Sequence, residues 1–200
     1  INGEERTGVT TFLLDEHMDT GAVLFQQEVD ILPDEDFGSL YGRLMEAGTG
    51  LVLKTVEALQ SGTAVPVAQD VSALRPEQAG APKLSRETGQ MDWIRPARSL
   101  HNLVRGLSPK PGAHGTVVLD GQELELKFYS TAVLSDEQAV SAGVPEDFLT
   151  AAPGTAYTDH RTCILVRCGE GALSLIDIQA PAKKRMDVRS FLAGWRGTAV

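Results

Sequence analysis

Residues 9–31 limit the fold most. Val9-Thr10-Thr11-Phe12-Leu13-Leu14 is apolar and β-branched, and Ala22 to Ile31 is a second strand-like run. Between them lies Asp15-Glu16-His17-Met18-Asp19-Thr20-Gly21, dense in acid and histidine and ending in turn chemistry. Two strands joined in this way predict a β unit with polar groups at its tip that cannot satisfy one another locally. Scaffolds commonly place functional groups at such tips.

Pro33-Asp34-Glu35-Asp36 predicts a helix start, with Asp34 or Asp36 as the cap and the acids complementing the helix dipole. The helix is expected from Gly38 to Gln60, closed by Ser61-Gly62, with Phe37, Leu40, Tyr41, Leu44, Leu51, Val52, Val56 and Leu59 at helical spacing. Gly48 and Gly50 weaken its middle by about 1 kcal/mol each relative to alanine. Periodicity then fades over 63–92, where Pro66, Pro76 and Pro82 mark a linker.

The remainder opens with a predicted helix, Pro96 to Leu107, and continues in short strands. Asp120-Gly121 joins one hairpin and Gly169-Glu170-Gly171-Ala172 a second. A last short helix, Val188 to Trp195, follows Asp187 as its cap. This pattern predicts an α/β unit over 1–65, a linker over 66–92 and a small OB-like β-barrel domain over 93–200.

The net charge of −9 is unevenly spread: residues 1–82 carry −10 and residues 83–200 carry +1. Within the second part, 83–112 and 161–200 are each +4, and 120–160 is −7. Two basic segments around an acidic one can steer an anionic partner. No apolar run approaches the roughly 18 residues of a membrane span. Two cysteines point to a reducing compartment. In a strand Cys163 and Cys168 fall on opposite faces, which predicts two unpaired buried thiols.

At the acidic loop, Asp15, His17 and Asp19 alternate, and one face of an extended segment would carry all three. Such a set has the ligand types for a divalent metal, but no further cluster lies nearby and no metal is expected. A second reading gives Asp19 acid–base work: a carboxylate at a strand-end turn orients an imidazole or a water. The plainer alternative is an Asx turn at Asp19. The spacing alone leaves these open. Serine-nucleophile and phosphate-cradling motifs are absent from the sequence.

Thr7-Gly8-Val9-Thr10-Thr11 followed by Leu14-Asp15-Glu16-His17-Met18-Asp19-Thr20-Gly21 resembles the second half of the catalytic domain of the methionyl-tRNA formyltransferase family. The resemblance continues through Asp36-Phe37-Gly38-Ser39-Leu40, Ala81-Pro82-Lys83-Leu84-Ser85, Met91-Asp92-Trp93 and Pro109-Lys110-Pro111-Gly112-Ala113. It ends with Gln179-Ala180-Pro181-Ala182-Lys183-Lys184-Arg185-Met186 and Phe191-Leu192-Ala193-Gly194, spanning nearly the whole chain in order. It implies the C-terminal portion of a Rossmann-like formyltransferase domain followed by the small barrel.

The resemblance also implies formyl transfer from 10-formyltetrahydrofolate to the amino group of initiator methionyl-tRNA, by a cytoplasmic monomer without metal or membrane. It makes Asp19 the catalytic carboxylate and Leu14, Asp15, Glu16 and Met18 the pterin-pocket lining. Lys183, Lys184, Arg185 and Arg189, with Arg98 and Arg105 on the helix at 96–107, are the expected tRNA contacts. The family's catalytic Asn and His lie upstream of its Thr-Gly-Val-Thr segment. The chain opens at Ile1, so a fragment inactive by itself is the expectation. Alternative readings are a different acceptor, either an amino sugar or water, and a non-catalytic RNA-binding fragment.

Overall fold

Strand β1 (Arg6–Phe12) pairs antiparallel with β2 (Val23–Asp30), from Arg6 against Asp30 to Phe12 against Val23, with a register shift at Thr11/Phe12. This computed structural model describes residues 1–16, 20–70 and 80–195. It divides into Glu4–Lys83 and a second unit of Leu84 onward together with Ile1–Gly3.

In the first unit, helix α1 (Phe37–Gln60) begins where Asp36 accepts the Ser39 amide at 2.8 Å. It ends at Ser61, whose amide donates to the Glu57 and Leu59 carbonyls. Gly62 follows at φ +69°, a left-handed exit that glycine makes without strain. The Arg43 guanidinium donates to the Glu35 carboxylate at 2.8 Å and to the Asp30 carbonyl at 2.9 Å, tying the helix start to the end of β2. Thr55 donates to the Leu51 carbonyl at 2.7 Å, so the 2.8 Å contact between the Thr11 and Thr55 hydroxyls has Thr11 as its donor. That bond joins β1 to α1.

Within α1 only Leu51 and Thr55 are fully buried, while Phe37, Tyr41, Val52, Val56 and Leu59 stay exposed. Two strands are too narrow to cover more than one stripe of a long helix. Beyond α1 the chain is not structureless, because Val67 exchanges two backbone hydrogen bonds of 2.8 Å with Val23.

The second unit begins with a 3-10 turn, Glu87–Gly89, and helix α2 (Ala97–Leu107). Strands β3 (Ala113–Leu119), β4 (Gln122–Leu134), β5 (Ala156–Thr158), β6 (Ile164–Arg167), β7 (Ala172–Gln179) and β8 (Met186–Asp187) form one antiparallel sheet. The order is β3-β4-β7-β6-β5, with β8 added on β7. The β3–β4 loop has Asp120 at φ 51° and Gly121 at φ 72°, the twisted two-residue hairpin turn its sequence predicts.

Strand β4 pairs with β3 through Phe128 and with β7 from Lys127 on, with register shifts around Ser130. Such bulges sharpen local twist, and the sheet curls. Its two ends meet where the Val118 amide donates to the Gly154 carbonyl at 3.0 Å, beside β5. Leu100, Leu103, Val104 and Leu107 of α2 fill the interior with Phe128, Ile164, Leu173 and Ile178. Trp93 meets Phe128 edge to face at 5.5 Å and donates its indole N–H to the Thr116 carbonyl at 2.7 Å.

Stretch 135–152 holds α3 (Asp136–Ser141), opened by a capping box from Ser135, and α4 (Glu146–Leu149). Helix α5 (Val188–Gly194) is capped by Asp187, which accepts the Ser190 amide at 2.9 Å. Both cysteines are free, as their spacing predicts, but only Cys168 is buried. Cys163 is only partly buried; it precedes β6 at the turn where its amide donates to Asp159 at 2.9 Å.

Candidate functional site

The acidic loop leaves β1 at Phe12 and returns at Gly21. The Leu13 amide donates to the Ala22 carbonyl at 2.9 Å, closing the loop at its neck. A side chain at Gly21 would put its Cβ 1.5 Å from the Leu13 carbonyl oxygen, so only glycine fits there. The Gly21 carbonyl accepts from the Gln69 side-chain amide at 2.8 Å, which anchors the neck from the segment after α1.

Inside the loop, Thr20 Oγ1 lies 2.8 and 3.0 Å from the two carboxylate oxygens of Asp15 and donates to that carboxylate. This bond holds Asp15 against the far side of its own loop. Leu14 is 89% exposed, and Asp15 and Glu16 are exposed beside it. Leu14, Thr10, Thr11 and Phe12 of this hairpin border a shallow cleft against Val52, Thr55 and Val56 of α1. The expected catalytic Asp19 and pocket residue Met18, with His17, lie outside the described residues. Among the described residues no group of three or more His, Cys, Asp or Glu is placed to hold a metal ion.

Glu35 shows how the unit handles a sheltered carboxylate. Its side chain is 3% exposed. Lost hydration, the largest single influence, pushes its pKa up. The bonds from Arg43, the Leu32 amide and Ser39, with the Arg43 charge, outweigh it and hold the carboxyl below its ordinary 4.5.

The expected RNA-contacting residues lie on three elements. Lys183, Lys184 and Arg185 occupy the connection between β7 and β8, Arg189 is on α5, and Arg98 and Arg105 are on α2. Arg98 and Arg105 are two helical turns apart and share a face. Lys183, Lys184, Arg185, Arg189 and Arg98 are exposed. Arg105 donates to the Asn102 side chain at 2.9 Å.

Arg185 differs from its lysine neighbours. It donates to Asp177 at 2.6 Å, and its guanidinium stacks 4.5 Å over the Tyr129 ring. Tyr129 in turn donates to Gln179 at 2.9 Å, and Gln179 donates to the Lys183 carbonyl at 2.8 Å. Arg185 is therefore a brace that shapes the connection from which Lys183 and Lys184 project. Sequence reasoning missed Asp177, Tyr129 and Gln179, which lie on β4 and β7 and carry no local signal. It also missed Thr20 as the partner of Asp15, although the Asp-Thr-Gly run contains it.

Two family profiles match the chain in order: formyl transferase over residues 1–56, and formyl transferase, C-terminal domain, over residues 83–196. The chain is similar to methionyl-tRNA formyltransferase of Trichlorobacter lovleyi, with 40% identity over 194 residues, covering 97% of this chain and 55% of that protein. The corresponding enzyme of Solibacter usitatus is 38% identical over 198 residues, covering 99% and 57%. The chain thus spans about half the length of the curated relatives it matches.

Among solved structures, HypX of Aquifex aeolicus in complex with tetrahydrofolic acid superimposes with a TM-score of 0.64 at 20% identity, over 95% of this chain and 30% of that one. An N-formyltransferase of Helicobacter canadensis gives a TM-score of 0.57 at 14% identity, over 88% and 56%. These two describe the fold. With both profiles in sequence order and relatives aligned along nearly its whole length, the chain belongs to the formyl transferase family.

Proposed function

We propose that the polypeptide carrying this sequence formylates the amino group of initiator methionyl-tRNA, with 10-formyltetrahydrofolate as donor. The observation that carries the reading is the 40% identity to a methionyl-tRNA formyltransferase along 97% of the chain. In the reaction the methionyl amine attacks the formyl carbon. The resulting tetrahedral centre breaks its bond to N10 of the folate, and the proton lost by the amine ends on N10, giving formylmethionyl-tRNA and tetrahydrofolate. Asp19 takes the role of the carboxylate that orients the proton acceptor.

Leu14, Asp15, Glu16 and Met18 form the pterin side of the donor site in this reading. An exposed leucine between the loop neck and two carboxylates offers a flat heterocycle both an apolar surface and hydrogen-bond acceptors. The Thr20 bond supports the role by fixing Asp15 in advance.

The second unit is assigned to the tRNA as an OB-like barrel, in a chain divided at 1–65, 66–92 and 93–200. The curled sheet order and the meeting of β3 with the segment before β5 support that assignment. Lys183, Lys184, Arg189, Arg98 and Arg105 would meet phosphates, with Arg185 bracing the first two. The test is an acceptor comparison with labelled 10-formyltetrahydrofolate. Label on methionyl-tRNA is the expected result. Transfer to a nucleotide-linked amino sugar, or release as formate, overturns the reading.

A further inference from the structure

We propose that a cleft on the second unit binds an unpaired nucleotide of an RNA chain, an inference that rests on the RNA-binding reading above and deepens it. The cleft has a volume of about 660 Å³ and is walled by Leu84, Arg86, Pro111, His114, Lys127 and Pro181 among others. That size suits a small organic ligand. The segment before the 3-10 turn, the loop after α2, strand β4 and the connection after β7 all contribute, so folding alone assembles it.

The wall chemistry selects the ligand. Proline rings, a leucine and an imidazole give a base flat surfaces to stack on, and the exposed Arg86 and Lys127 give its phosphate cations. His114 Nε2 lies 3.0 Å from the Arg86 carbonyl oxygen. A carbonyl only accepts, so that nitrogen carries the hydrogen and the imidazole is fixed in the wall. A Cβ on Gly89 would approach the Gly112 carbonyl to 3.0 Å, so the floor closes tightly around glycine.

A second cleft of about 580 Å³ shares Arg86, His114 and Glu125 with the first. Those three side chains thus border a cavity on each side, which suits two consecutive nucleotides. Arg86 meets Glu125 only at 4.0 Å with both side chains largely exposed, a weak pair that a phosphate can replace. Pro181 and Ala182 line the first cleft and lead directly into Lys183 and Lys184, so a backbone leaving the cleft meets further cations.

The test uses the intact chain in two measurements. Nucleoside 5′-monophosphates are titrated in while the amide resonances of Gly89, Gly112 and Gly115 are followed. Initiator tRNA affinity is measured against salt for the unsubstituted chain, for Ser85→Trp, which fills the cleft from an exposed wall position, and for Lys183→Glu with Lys184→Glu. Pro181→Trp repeats the first substitution from another wall if Ser85→Trp does not fold.

Saturable shifts at those glycines are expected, and are lost in Ser85→Trp. That variant should bind tRNA about tenfold more weakly with a salt slope lowered by about one to two, because the excluded nucleotide loses its stacking together with its phosphate contacts to Arg86 and Lys127. Unmoved resonances overturn the cleft assignment. So does undiminished tRNA binding by Ser85→Trp beside weakened binding by the charge variant, an outcome that leaves the RNA reading intact. Nucleotide binding by a chain with no tRNA affinity overturns the RNA reading, and with it the assignment of the cleft to an RNA chain.

Discussion

Thr20 donates its hydroxyl to the Asp15 carboxylate across the acidic loop, with oxygen separations of 2.8 and 3.0 Å, and the residue that follows it, Gly21, sits against the Leu13 carbonyl. One turn therefore serves two purposes. The threonine fixes a carboxylate, and the glycine lets the loop neck close.

These two positions predict different failures. Thr20→Val is expected to leave thermal stability within about 1 kcal/mol, since the lost bond is exposed, and to raise the KM for 10-formyltetrahydrofolate several-fold. Gly21→Ala forces the Leu13 backbone to move and is expected to destabilise the first unit by about 2 kcal/mol or more. Steady-state kinetics and denaturant unfolding separate the two. Equal stability losses in both variants would contradict the division of roles.

Glu35 gives a pH prediction. Its folded pKa lies below the ordinary 4.5, so its contribution to stability is fully present above pH 4.5 and is lost as pH falls through the folded value. Arg43→Met removes the principal partner and should flatten the stability profile below pH 4.5. Urea midpoints for both proteins across the acid range would reveal this, and parallel curves would refute it.

The two thiols should differ in reactivity. Burial pushes the Cys168 pKa to about 12, while Cys163, partly exposed, is raised less, chiefly by burial. At pH 8 iodoacetamide is expected to spare Cys168 in the folded protein and label it only after unfolding. Cys163 should react, more slowly than free cysteine. Mass spectrometry of the alkylated peptides measures both.

On the basic connection, replacing Lys183 and Lys184 with alanine should lower the slope of log affinity for tRNA against log salt by about two, with stability unchanged. Arg185→Gln should instead lower the unfolding midpoint by a few degrees, because it strips Asp177 and Tyr129 of their common partner. A full unit change in salt slope from Arg185→Gln without loss of stability would make it a phosphate contact and not a brace.

Much of the fold was legible in the chain because its signals are local. The strands on either side of the acidic loop, the Asp36 cap, the Asp120-Gly121 turn and the inward leucines of α2 each depend on residues within a few positions of one another. The structure has the second strand, the cap, the turn and α2 within a residue or two of expectation, while β1 begins three residues earlier, at Arg6, because its pairing with β2 extends to Asp30. The α1 helix was legible in length but not in burial, since exposure depends on what packs against it. Glycines with one shared signal proved to differ in cause: Gly121 needs a positive φ, whereas Gly21 needs room.

Element order and family are legible along the chain, because backbone propensity and motif spacing are local signals. Tertiary contacts set the partners of the charges. Arg185, exposed like Lys183 and Lys184, is paired with Asp177 of β7 and stacked on Tyr129 of β4. Tertiary structure also brought Arg86, His114, Lys127 and Pro181 around one cleft. Those partners are separated in sequence, and the pairing of β3 with β4 and of β4 with β7 brings them around one cleft.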